Sequence, residues 1–229
     1  MLIIIVRVII LILSAVVHEY AHGWMAQRRG DETAARAGRL TLNPLVHLDL
    51  FGSVILPLLL IFSKLGFFLA WAKPVPYNPY NLRDRKYGEL KVALAGPASN
   101  LIIALVFGLI ARFLPLSLEI KQGLLLGMNA DYAARALGLV SGSFVAGLEL
   151  AAILICLINI GLAIFNLIPV PPLDGSKILS VLLPARFRET LWRIERYGFF
   201  VLILLIWSGA FGFISTAVFW LFSLITGII

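Results

Sequence analysis

Residues 2–26 read LIIIVRVIILILSAVVHEYAHGWMA, and this stretch decides the fold. It is apolar and long enough to cross a bilayer, which takes about 20 helical residues. Yet its C-terminal third carries H-E-Y-A-H, residues 18–22. On a helix, positions i and i+4 lie on one face, one turn apart, so His18 and His22 can both reach one ion. Glu19, beside the first histidine, can reach a water in an open coordination position, where it can take a proton and pass it to a leaving amine. Ionisable groups inside a membrane are costly and rare. Three of them in five positions need a common partner, and Zn2+ supplies one. Arg7 followed by an apolar run has the outline of a signal peptide. No small-x-small cleavage site precedes the histidines, so the segment is expected to stay as a membrane helix.

Outward from this helix the chain stays apolar. Of its 229 residues, 61% are hydrophobic and 14% charged, against about 25% charged in a soluble domain. The mean hydropathy is +0.98. Stretches 92–114 and 144–168 are also long enough to span, as is part of 198–228. Segment 49–71 is nearly as apolar but is interrupted by Gly52, Pro57, Lys64 and Gly66. A net charge of +7 would suggest nucleic acid in a soluble protein. Here the basic residues sit in loops between apolar segments with no basic-aromatic patch, so no nucleic-acid partner is expected. The single cysteine, Cys156, excludes an internal disulfide.

The basic residues orient the chain. Loop 27–48 has four, loops 72–91 and 175–196 have five each, and loop 116–142 has only Lys121 and Arg135. The positive-inside rule puts the first three loops in the cytoplasm and 116–142 outside. Segment 49–71 would then enter the membrane and return on the same side. Such backbone must be buried in protein or line a wet cavity.

A catalytic zinc usually takes three protein ligands and leaves one position for water. His47 is the only further histidine, and it follows N-P in a loop, where a hydrogen-bonding role suits it better. The other candidate is Asp174, in N-L-I-P-V-P-P-L-D-G, residues 166–175. Three prolines in four positions stop the preceding helix and are expected to force an extended path that presents the carboxylate on irregular backbone. Both H-E-Y-A-H and Asp174 lie near the C-terminal ends of their helices. For both to touch one zinc the two helices must run in the same direction, which needs an odd number of crossings between them. Segment 92–114 supplies one, so 49–71 should not cross.

Three motifs resemble those of the site-2 protease family of intramembrane zinc metalloproteases: H-E-Y-A-H, N-L-I-P-V-P-P-L-D-G, and A-G-P-A-S-N at 95–100. The stretches G-R-L-T-L-N-P-L-V-H-L-D, residues 38–49, and W-A-K-P-V-P-Y-N-P, residues 71–79, look like its short prokaryotic branch without PDZ or CBS domain. The resemblance spans about residues 10–185. It implies His18, His22 and Asp174 as ligands of one Zn2+ per chain and Glu19 as the catalytic base. It also implies Asn166, and with it Asn100, as residues near or on the bound substrate. Segment 71–77 would be an edge strand offered to an unwound transmembrane protein or peptide substrate.

The expected fold is an all-α polytopic membrane protein, one integral-membrane protease domain over 1–229 with its catalytic core at about 2–185. Three transmembrane helices (about 2–26, 92–114 and 144–168) are joined by a re-entrant segment at 49–71 and a short edge strand near 71–77. One or two membrane helices follow within about 188–229. The protein would be a multi-pass protein of a prokaryotic inner membrane, in contact with lipid, with its active site towards the cytoplasmic side. Two other readings are a metal-binding membrane transporter and a proteolytically silent scaffold. Transporters usually show two related halves, none of which is visible, and the intact H-E-x-x-H argues against a silent protein. The substrate and the oligomeric state are not legible from the residues.

Overall fold

A computed structural model of the chain describes residues 2–49, 73–84, 87–126, 138–184, 196–210 and 212–228. Among these the regular structure is helical, and no strand is present. Helix α1 spans Leu2–Arg28, followed by the short helices α2 (Thr33–Arg36) and α3 (Pro44–His47). Helix α4 spans Tyr87–Phe113, α5 Leu118–Leu126, α6 Phe144–Asn166 and α7 Asp174–Leu182. The described chain ends with α8 (Gly198–Trp207) and α9 (Gly212–Thr226). Helices α1, α4 and α6 are each long and apolar enough to cross a membrane. Their bounds agree with the expected spans, except that α4 begins several residues earlier.

These three helices form the core, with α4 packed against both α1 and α6. Small residues set the spacing. Ala104, Ala111, Ala146 and Ala152 are buried at the interfaces, and a β-carbon on Gly108 would lie 2.5 Å from Ile225 and 2.9 Å from the Cys156 sulfur. In lipid no hydrophobic force drives helices together, so close packing through small side chains does that work. The outer faces carry exposed apolar groups such as Ile4, Ile9 and Leu13 on α1 and Ile102, Val106 and Ile110 on α4. That pattern suits contact with lipid chains and fits a multi-pass membrane protein.

The helix directions follow from named contacts. His18 bonds to Asn100 and His22 to Val92, so α4 runs antiparallel to α1. Ser14 bonds to Asn159, while His18 and His22 meet Asp174 beyond the end of α6, so α6 runs parallel to α1. The parallel pair expected from the zinc argument is therefore present. The expected re-entrant segment, 49–71, lies outside the described residues apart from Asp49. Its flanks meet: the Lys73 N–H donates to the His47 carbonyl at 2.8 Å, and the Arg83 N–H to the Arg29 carbonyl at 2.9 Å.

Two expectations need correction. The edge strand near 71–77 does not form; its described part, residues 73–77, runs without regular structure. The reason lies in its donors. Pro74 and Pro76 have no N–H, the Lys73 N–H is given to His47, and the Val75 N–H is given to the Glu19 carboxylate at 2.9 Å. The proline run after α6 is not extended either. Val170 N–H bonds to the Ile168 carbonyl and Leu173 N–H to the Val170 carbonyl, giving consecutive turns. Helix α7 then starts at Asp174 itself, where an acidic side chain in the first turn favours the helix dipole. The C-terminal run is divided rather than continuous: α8 and α9 meet at 81°, with Gly209 at φ +73° between them.

Two buried polar clusters hold the ends of the bundle. Asp31 is fully buried and accepts from the Asn78 N–H (2.7 Å), the Asn81 amide (2.9 Å), and the Thr33 hydroxyl and N–H. Burial alone would raise its pKa, but these four bonds outweigh it and hold the carboxyl below the ordinary range. They tie segment 78–81 to the end of α1. At the other end Lys121 is buried, donates to the Ala111 and Arg112 carbonyls at the C-terminus of α4, and lies 4.0 Å from the Glu149 carboxylate. A cation at that helix end offsets the dipole.

Candidate metal centre

The bundle brings His18, His22 and Asp174 together. Nε2 of His18 lies 3.0 Å from Nε2 of His22 and 3.0 Å from Oδ2 of Asp174, and Nε2 of His22 lies 3.1 Å from the same oxygen. All three residues are buried. Among the described residues they form the group able to hold a metal. The histidines owe their common face to the i, i+4 spacing on α1. Asp174 owes its place to the turns that end α6. There Gly175 is required, because a β-carbon on it would lie 2.3 Å from the Leu167 carbonyl oxygen and 2.4 Å from that of Ile168.

The outer ring nitrogens determine what the inner ones can do. His18 Nδ1–H donates to Asn100 Oδ1 at 2.6 Å, and His22 Nδ1–H donates to the Val92 carbonyl at 2.7 Å. A neutral imidazole protonated at Nδ1 keeps a lone pair on Nε2. Two such lone pairs and a carboxylate oxygen then face one point. Three electron-rich atoms converging in a buried place repel one another unless a cation lies between them. Tetrahedral zinc with bonds of about 2.0–2.1 Å would set its ligand atoms about 3.3 Å apart, close to the spacing found.

Space for that cation comes from Gly96. A β-carbon there would sit 2.4 Å from His22 Nε2 and 2.5 Å from His18 Nε2. The motif A-G-P-A-S-N held this glycine in view, but its role depends on side chains more than 70 positions away. The residues fit the ion on three counts: donor set, lone-pair orientation and room.

Glu19 projects from the next position on α1 and is half-buried. Its Oε2 accepts the Val75 N–H, and it is not one of the three converging groups. Lys177, one turn beyond Asp174 on α7, lies 3.9 Å from Asp174 Oδ1 and 5.4 Å from the centre of the Tyr77 ring. No sequence pattern singled it out. Asn166 closes α6, partly exposed, with its amide N–H on the Leu162 carbonyl. Asn100 is fully buried behind His18, its amide shared between that ring and Asn159. His47 donates to the Thr41 carbonyl at 2.8 Å, the loop role expected of it.

Comparison with known proteins shows what the chain is similar to. The description Peptidase family M50 matches the chain over residues 6–208. YwhC of Bacillus subtilis (strain 168) is 37% identical over 199 residues, which is 86% of this chain and 78% of that protein. Rip2 of Mycolicibacterium smegmatis is 27% identical over 215 residues, 92% of this chain and 70% of that one. Rip2 of Mycobacterium tuberculosis (H37Rv) is 27% identical over 216 residues, 93% of this chain and 71% of that one. All three carry the words zinc metalloprotease in their names. No solved structure matches.

Proposed function

The chain belongs to peptidase family M50, a family of zinc metalloproteases, and on that premise we propose that it is a site-2-type endopeptidase that cuts transmembrane protein substrates within the bilayer. The observation that carries this reading is the convergence of two Nε2 lone pairs and the Asp174 carboxylate on one buried point beside Gly96. His18, His22 and Asp174 would hold the zinc. When bound, zinc acidifies a water and polarises the scissile carbonyl.

The protein's own groups do the rest. Glu19 takes the proton of the attacking water and returns it to the leaving nitrogen, which needs a carboxylate next to the metal but not on it. The Val75 N–H keeps that carboxylate oriented. Lys177, on the Asp174 side of the site, is one-third exposed and adds positive charge where the carbonyl oxygen becomes an anion. Asn166, at the open end of α6, would hydrogen-bond the substrate backbone once it is unwound. Substrate helices must unwind because their peptide groups are otherwise shielded by their own hydrogen bonds.

The test is zinc dependence in detergent. Purified protein should carry about one zinc per chain, lose cleavage of a single-span substrate on chelation, and regain it with zinc. Asp174→Ala should weaken zinc binding by more than the roughly 10–100-fold that outer hydrogen-bond partners command. Stoichiometric zinc in that variant would remove Asp174 from the ligand set.

The membrane path is proposed as well. Segment 49–71 dips in and returns on the cytoplasmic side, so the site opens towards the cytoplasm of an inner membrane. Its flanks are joined through His47 and Lys73. Cysteines introduced at 30–45 and 78–88, in a chain lacking Cys156, should label from the same face. Labelling from opposite faces would sink this topology.

A further inference from the structure

We propose that Asn159, on α6, is a positioning residue for the metal centre, which acts through Asn100 to set the tautomer and aim of His18. The inference rests on the zinc-peptidase reading above. Asn159 sits in L-I-C-L-I-N-I-G-L, in the middle of the most apolar spanning helix, and is fully buried. A leucine would bury there without any need for a partner. The amide is instead joined to three other groups across all three core helices.

The hydrogen bonds form a chain whose polarity is determined from one end. Asn159 Nδ2 donates to the Ser14 hydroxyl and to the Ile155 carbonyl, both at 2.9 Å. Both amide hydrogens are thereby used, so its Oδ1 is the atom left to face Asn100. Asn100 Nδ2 donates to that oxygen at 2.8 Å and lies 3.4 Å from the Ser14 carbonyl oxygen. Asn100 must then turn its own Oδ1 to His18, where it accepts the Nδ1–H at 2.6 Å. An imidazole that donates from Nδ1 offers its Nε2 lone pair to a metal. Each amide has one orientation compatible with its neighbours, and reversing either one costs bonds in a place without water. Ser14 lies one turn before His18 on α1, so the chain closes on the helix that carries the ligand.

Without Asn159, Asn100 is free to flip and present its NH2 group to His18. The ring then accepts at Nδ1 and carries its proton on Nε2, the wrong atom for zinc. The test compares Asn159→Leu, close in size but without polar atoms, with Asn159→Asp, which keeps an oxygen facing Asn100. Zinc affinity is measured in detergent by competition with a chelator, and the ring nitrogens of His18 are observed by NMR in zinc-free protein. Asn159→Leu should bind zinc about 10–100-fold more weakly, with the His18 spectrum shifted towards the Nε2–H tautomer. Asn159→Asp should recover most of the affinity and the wild-type tautomer. Wild-type affinity in a folded Asn159→Leu protein would overturn the proposal. So would equal losses in both variants, since the oxygen would then not be what matters. A wild type that binds no zinc would instead remove the metallopeptidase reading itself, and it is recognised without either variant.

Discussion

Glu19→Gln should leave zinc bound at about one per chain and reduce peptide cleavage by about 10²–10⁴-fold, the range that general-base help contributes. The substitution keeps the size of the side chain and removes its basicity. It also keeps an oxygen that can accept the Val75 N–H, so segment 73–78 has no reason to move. The proposed ligands His18, His22 and Asp174 are untouched. Zinc content and cleavage of a single-span substrate should therefore separate in this variant. A substrate with helix-breaking residues near the cleaved bond should be cut faster by wild type and stay poorly cut by the variant. Wild-type cleavage with zinc bound would rule out Glu19 as the base while leaving the family membership intact.

Gly96→Ala should abolish zinc binding almost completely, and with it activity, although it adds a single methyl group. That methyl would lie 2.4 and 2.5 Å from the two Nε2 atoms. Neither ring can retreat at small cost, because each is tied through Nδ1 to α4, the helix that carries Gly96. The new atom also fills the space in which the ion would sit. A glycine inside a helix ordinarily costs about 1 kcal/mol relative to alanine, so its presence at 96 is accounted for by close approach. Gly161→Ala on α6 is the matched control: its β-carbon meets nothing within 4 Å, and the variant should keep zinc and activity. Elution profile and helical dichroism monitor folding in both. Full zinc occupancy in Gly96→Ala would contradict the arrangement described for the centre.

Local information carried much of this far. The spans were legible because about 20 apolar residues in a row have one cheap conformation in lipid. His18, Glu19 and His22 were legible because their geometry is a property of one helix. Asp174 could be named from the proline run and the resemblance, but its position at the start of α7 could not, since turns rather than extended backbone follow α6. The edge strand failed for a reason partly visible in the sequence. Pro74 and Pro76 visibly lack donors, but that the remaining Val75 N–H would go to Glu19 depends on a neighbour 56 residues away. Lys121 was read as a loop charge and is instead a buried cap on α4. Asn159 left one faint signal, a single amide within the apolar run between Glu149 and Asn166.

By itself, the sequence determined a largely helical chain with membrane-length apolar spans, and it set two imidazoles one turn apart with a carboxylate beside them on the first helix, in a pattern that resembles a zinc-protease motif. Those properties follow from composition, from the 3.6-residue period and from motifs that each lie within one segment. Only the tertiary structure decided which atoms converge and which are turned away. It placed Asp174 against both histidines, emptied the space beside them at Gly96, and used Asn100, Asn159 and the Val92 carbonyl to choose the ring nitrogens that face the site. The physical reason is that a hydrogen bond's direction is set by the partner. In a bundle without water those partners lie on other helices, tens to more than a hundred residues away in the chain.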